Sequence, residues 1–142
     1  MSAEANKAII RRYFEEGWNT GNPDVTSEVF SEDYVNHNPG IPGMPPGRQG
    51  IRVLVGAFRS VFPDLTYTIE DQVAEGDQVV TRWTMRGTQQ GEFQGLPASG
   101  KQVSVSGIQI DRLQDGKIVE HWRETDILGM LKQLGAIPAP GQ

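Results

Sequence analysis

Near the end of the chain, Trp122, Glu124 and Asp126 alternate along a segment of strand-like composition, a spacing that puts all three on one face. Two carboxylates beside a large apolar ring are poorly solvated and repel each other, which lifts one of their pKa values toward the range of a general acid or base. The chemistry open to such a pair is removal of a proton next to a carbonyl and return of a proton to the resulting oxygen. Asp126 is the candidate for that work. It also directly precedes Ile127, where a helical pattern starts, so the same carboxylate has a second reading as a helix N-cap.

The facing assignment depends on the hairpin around Asp115-Gly116, the strongest short turn signal in the chain. Treated as a two-residue turn, it pairs Leu113 with Ile118, Asp111 with Glu120, Gln109 with Trp122, Gly107 with Glu124 and Val105 with Asp126. We assign this face to the interior, where Gly107 leaves room for a ligand and Trp122 supplies a wall. Ile108, Ile110, Arg112, Val119, His121 and Arg123 then face outward, and a one-residue slip would exchange every assignment on the last strand. The outward Ile108, Ile110 and Val119 make an apolar surface that predicts a homodimer through the sheet.

Other chemistry is sparse. His37 and His121 lack metal-ligand spacing, and the absence of cysteine removes thiolate nucleophiles and zinc–thiolate sites, so no metal is expected. His37 lies between Asn36 and Asn38, where a structural role is an equal reading. There is no nucleophile elbow and no glycine-rich nucleotide loop. Tyr13 and Trp18 fall at helical spacing and suit a core, with a second reading as pocket-lining groups.

The bulk properties bound the class. A chain of 142 residues with 37% hydrophobic and 22% charged residues fits one folded domain over 1–142. Its net charge of −5 and scattered basic residues argue against nucleic acid or an anionic membrane as partner. No apolar run is long enough to span a bilayer, and no signal-peptide core opens the chain; with the lack of cysteine, this predicts a cytoplasmic protein.

The elements that must position these groups can be read from periodicity. Residues 4–19 predict a helix with Ala8, Ile9, Tyr13, Phe14 and Trp18 inward, ended by Asn19 to Pro23. Pro23–Phe30 is a short second helix capped by Asn22, and Arg48–Val61 a third; 33–50, rich in Pro and Gly, reads as loop. Strands follow at 65–74, 78–87, 103–113 and 117–126, and Ile127–Leu134 forms a last short helix. The tail from Ile137 is expected to fray. Helices first and an antiparallel meander after make an α+β fold, with a strongly curved sheet around the first helix enclosing a pocket.

Several runs resemble the SnoaL-like polyketide cyclase family: Gly116 to Trp122, followed by Asp126, Gly129, Leu131 and Gln133-Leu134-Gly135; Asp33 to His37 before the Pro/Gly-rich loop; Phe62-Pro63-Asp64; Glu75 to Val80 with Arg82-Trp83; and Gly87-Thr88 through Gly100-Lys101. The resemblance covers about residues 5–135. It implies a nuclear-transport-factor-like cone, three N-terminal helices packed on a curved, mostly antiparallel sheet, in a dimer or tetramer. It also implies intramolecular aldol ring closure on a hydrophobic carbonyl substrate without metal or cofactor. By this likeness Asp126 is the catalytic acid/base, His37 a catalytic partner and Gln109 a polar pocket group, alongside Trp122, Glu124, Tyr13 and Trp18. One departure is Asp111, where some ring-closing members carry histidine. Alternatives on the same fold are a non-catalytic carrier of small hydrophobic ligands, an epoxide hydrolase, or an isomerase using Tyr13 as hydrogen-bond donor.

Overall fold

The computed structural model describes residues 2–38 and 43–137; the loop positions 39–42 and the tail beyond Ile137 lie outside them. Ser2 caps helix α1 (Ala3–Arg12) by accepting the Ala5 N–H at 3.1 Å, and Arg11 and Arg12 sit in its last turn where the helix dipole favours cations. The regular helix expected over 4–19 changes at Tyr13. Residues Tyr13–Trp18 form a π-helical turn, and Asn19 N–H donates to the Phe14 carbonyl five residues back. The wider turn brings Tyr13 beneath Trp18, whose Nε1–H donates to the Tyr13 hydroxyl at 2.7 Å.

Helix α2 (Pro23–Val29) starts where Pro23 and the Asn22 cap predict. The next element corrects the sequence reading. Phe30–Asn36 is a strand, β1, and its residues after Phe30 show no clean alternation that would announce it. Its order comes from parallel pairing with a strand far along the chain, which local pattern cannot report. Helix α3 spans Arg48–Val61 as read from the sequence.

Strands β2 (Thr66–Glu75), β3 (Gln78–Thr88), β4 (Gln102–Gln114) and β5 (Lys117–Thr125) complete one sheet of order β1-β5-β4-β3-β2, antiparallel except for β1 with β5. Helix α4 (Ile127–Gln133) packs at its end. The fold is thus the expected α+β cone. None of the helices among the described residues is long and apolar enough to cross a membrane.

The decisive local feature is a β-bulge. Leu113 pairs with Ile118 and Gln114 with Lys117 across Asp115 and Gly116, which take φ of 52° and 78° as a primed two-residue turn requires. The next pair is Arg112 with Glu120, so Val119 is an extra residue on β5. Beyond it the pairs are Asp111 with His121, Ile110 with Trp122, Gln109 with Arg123, Ile108 with Glu124 and Gly107 with Thr125. The inward face of β4 is as predicted, while that of β5 is inverted after Val119.

The core is strongly aromatic. Tyr13 packs edge-on against Phe30 at 4.9 Å, and Tyr67 likewise against Trp83 at 4.9 Å. Burial pushes the Tyr13 and Tyr34 phenols up, and raises Tyr67 to about 12. In the unfolded chain these phenols ionise near 10, so the folded state holds protons that the unfolded state releases. Stability should therefore be intact below pH 10 and fall as pH rises from 10 toward 12. Thermal melts across that range check this: tyrosinate absorbance should appear together with unfolding, and gradual ionisation of the folded protein would refute it.

Candidate active site

Three polar side chains sit inside the cone in a connected row. Gln109 Nε2–H donates to Asp111 Oδ2 at 2.7 Å, and Asp111 Oδ1 lies 2.7 Å from His121 Nδ1. Their exposures are 2%, 0% and 2%, so the row is buried. Gln109 and Asp111 alternate inward along β4, and His121 is the cross-strand neighbour of Asp111 because of the bulge at Val119. A carboxylate and an imidazole in an aromatic core carry a desolvation penalty that apolar residues would avoid. Their mutual bonding offsets part of it and fixes the ring's orientation. With Asp111 ionised, His121 donates from Nδ1, and Nε2 keeps a lone pair that can take a proton.

Two residues further along the same face of β5, Arg123 reaches a cavity of about 350 Å³. Trp18, Tyr67, Trp83, Met85, Phe93 and Met130 supply its apolar wall, with Asn38, Gln94 and Arg123 as polar groups. A pocket of this build suits a small, largely apolar ligand held by a few polar contacts. The strand rise places His121 about 7 Å deeper than Arg123.

The predicted site residues divide into groups. Gln109 is interior as expected, and its partner across the hairpin is Arg123, not Trp122. Trp18 lines the cavity, while Tyr13 lies beneath it in the core. Glu124 is not interior: it stands exposed at the cavity rim. Trp122 turns to the outer face, where its indole stacks on His37 with ring centres 4.7 Å apart and planes 7° from parallel. His37 Nε2 lies 2.8 Å from Glu120, and Glu120 also accepts from Arg112 at 2.7 Å. Those two bonds, that of His37 first, hold the Glu120 carboxyl below its usual range. His37 and Trp122 therefore belong to an outer cluster, which takes Trp122 off the interior face where it was expected and leaves His37 outside the cavity lining. Asp126 is exposed and caps α4 by accepting the Gly129 N–H at 2.9 Å, so the capping reading describes its geometry.

The space foreseen at Gly107 is real and already occupied. Gly107 pairs with Trp83 across β3 and β4, and a Cβ there would lie 2.1 Å from Trp83 Cζ2. Sequence reasoning placed Asp111 inside without giving it a role, and turned His121 and Arg123 outward. Charge was the available signal: the β5 face first chosen would bury Glu120 and Glu124 near Asp111, whereas the alternative offers it His121 and Arg123. Among the described residues, no group of three His, Asp or Glu side chains converges as metal ligands.

Comparison with known proteins agrees with this architecture. Residues 8–134 match the model of the SnoaL-like polyketide cyclase family. The chain is 30% identical over 133 residues to aklanonic acid methyl ester cyclase DnrD of Streptomyces peucetius, covering 89% of this chain and 88% of that protein. It is 30% identical over 119 residues to nogalonic acid methyl ester cyclase of Streptomyces nogalater, covering 83% and 89%. The structure of TsrD from Streptomyces laurentii superposes with a TM-score of 0.88 at 32% identity, over 96% of this chain and 99% of that one.

Proposed function

The chain belongs to the SnoaL-like polyketide cyclase family, and from that premise we propose that it closes a ring in a polyketide-like carbonyl substrate by intramolecular aldol chemistry, with His121 as general base and acid. The observation carrying this assignment is the buried Gln109–Asp111–His121 row beside the cavity. His121 Nε2 removes a proton from the carbon next to a carbonyl through one bridging water. The enolate carbon bonds to a second carbonyl carbon in the same molecule, and the imidazolium returns its proton to the oxygen of that carbonyl. No proton is gained or lost overall. Asp111 stabilises the transient imidazolium, Gln109 keeps Asp111 in place, and the aromatic wall folds the substrate so that its two carbonyl centres meet.

Asp126 and His37, the candidates that the sequence offers, are less well supported for this role, because one caps α4 and the other stacks on the outer surface. Aklanonic acid, nogalonic acid and their methyl esters are the substrates to try first. An aldol closure conserves mass, so the product is an isomer of equal mass with altered absorbance and retention. Incubation in D₂O should also place deuterium at the reacting carbon. Ligand binding with neither isomer nor exchange would reject the cyclase and favour a carrier. A homodimer through the outer sheet face belongs to the same proposal: Ile108 and Ile110 stand 46% and 37% exposed there. A monomer in sedimentation at high concentration would reject that part. A cytoplasmic location, supported by the cysteine-free composition, is checked by cell fractionation.

A further inference from the structure

We propose that Arg123 is a second catalytic residue: its guanidinium, on the cavity wall above His121, hydrogen-bonds the oxygen of the carbonyl whose neighbouring carbon is deprotonated, and so holds the enolate. The inference rests on the reading of this cavity as the substrate site, and it adds the group that stabilises the charge His121 creates. Arg123 follows His121 by two residues on the same face of β5, about 7 Å further along the strand. That step leaves room between them for the bridging water and the carbon–carbonyl unit that reacts. Arg123 is half-buried and lines the cavity. Its backbone N–H donates to Asn38 Oδ1 at 2.8 Å, but its guanidinium meets no hydrogen-bond acceptor and no carboxylate among the described residues. Nor is the guanidinium sealed: the buried polar atoms without partners are Asn6 Oδ1, the Tyr34 hydroxyl, Asn36 Nδ2 and Trp83 Nε1. N–H groups that are neither paired nor sealed are open to a ligand.

The field of Arg123 points the same way. Burial raises the phenols of Tyr13, Tyr34 and Tyr67, and the charge of Arg123 opposes that rise at all three. Tyr13 and Tyr34 also feel Asp111, which raises them. The guanidinium and the Asp111–His121 row thus act on the same two phenols, which puts both within short electrostatic reach of one interior region. Trp18, Met85 and Phe93 on the cavity wall leave that region poorly screened. Enolisation moves negative charge onto a carbonyl oxygen. A neutral ketone or ester oxygen accepts an ordinary hydrogen bond from a guanidinium, whereas an enolate oxygen accepts the stronger, charge-assisted kind. The gain is therefore larger in the transition state than in the bound substrate, which is what accelerates a reaction. A guanidinium stays protonated throughout, so Arg123 donates hydrogen bonds and no proton. The proton still passes from carbon to His121 and back to the second carbonyl oxygen.

The first test is a binding titration of the intact protein, read by tryptophan fluorescence and calorimetry at neutral pH. The probes are 2-hydroxy-1,4-naphthoquinone, which is then an enolate, and its neutral 2-methoxy ether. The wild type should bind the enolate about tenfold or more tightly than the ether. Arg123→Met should remove that preference while leaving ether affinity within about twofold, and Arg123→Lys should restore part of it. His121→Asn should keep the preference. Equal affinity for the two probes in the wild type would overturn the proposal, and that comparison needs no variant to fold. Loss of the preference in His121→Asn but not in Arg123→Met would also overturn it, because the anion would then sit at the imidazole. The second test is deuterium uptake from D₂O by the polyketide ester. Arg123→Met should slow it by about 10²–10³-fold, as removal of an oxyanion donor does, while KM changes far less. Unchanged uptake in that variant would take the enolate away from Arg123. A wild type that neither closes rings nor exchanges fails the cyclase reading, and the probe preference then upholds or overturns the enolate site by itself.

Discussion

Replacing His121 by Asn is expected to lower turnover by about 10²–10⁴-fold, the usual contribution of a positioned general base, with ligand affinity nearly unchanged. His121 lies below the cavity wall and not in it, so losing its ring should affect the proton-transfer step more than binding. Asp111→Asn should also reduce turnover, because an amide cannot stabilise the imidazolium as a carboxylate does. Its effect on folding should be mild beside that of Asp111→Ala. The alanine leaves Gln109 Nε2–H and His121 Nδ1–H without their common acceptor in a buried site. Stranding buried partners in this way costs about 3–5 kcal/mol. Asp126→Asn is the contrasting variant. Asn is as good an N-cap as Asp, so both stability and turnover should stay close to wild type. If Asp126→Asn abolished turnover while His121→Asn retained it, the acid/base role would return to the capping carboxylate.

The second large effect is expected at Gly107. A methyl group there would meet the Trp83 indole at 2.1 Å from Cζ2 and 2.3 Å from Cη2. Those atoms belong to a rigid ring that is 1% exposed, so the indole must move into the cavity or the two strands must separate. Gly107→Ala should therefore destabilise the protein by about 1–3 kcal/mol, the usual range for overpacking, and weaken ligand binding. Urea denaturation and titration measure the two effects. Trp83→Phe removes the clashing outer ring, so Gly107→Ala should cost clearly less in that background, a coupling that a double-mutant cycle reads. Gly56→Ala is the control. Gly56 lies within α3 with nothing within 4 Å of an added Cβ, and alanine there should stabilise by about 0.5–1 kcal/mol. Equal costs of Gly107→Ala in the wild-type and Trp83→Phe backgrounds would show that the indole is not what the glycine accommodates.

Much of the frame was legible without coordinates. Pro23 with Asn22 marked the start of α2, Arg48–Val61 was read residue for residue, and Asp115-Gly116 marked the tight turn of the last hairpin. The alternation on β4 that turns Gln109 and Asp111 inward and Ile108 and Ile110 outward was also correct. These features depend on caps, turns and period, each set within a few residues of chain.

The site lay beyond that range. One extra residue, Val119, inverts the face of everything after it on β5, exchanging Trp122 and Glu124 for His121 and Arg123. Nothing in the local pattern from Ile118 to Thr125 announces it, since a bulge is chosen by which register gives the strands their best cross-strand partners. Here that choice gives Asp111 a basic neighbour and keeps Glu120 and Glu124 out of the core. The same holds for β1, ordered by parallel pairing with β5, and for Trp83, which fills the space over Gly107. Short-range chain chemistry is enough to dictate most of the elements, the last turn and the family pattern. Which side chains meet inside the cone is settled only when the strands pack, because it depends on burial of charge and on fit between segments distant in the chain.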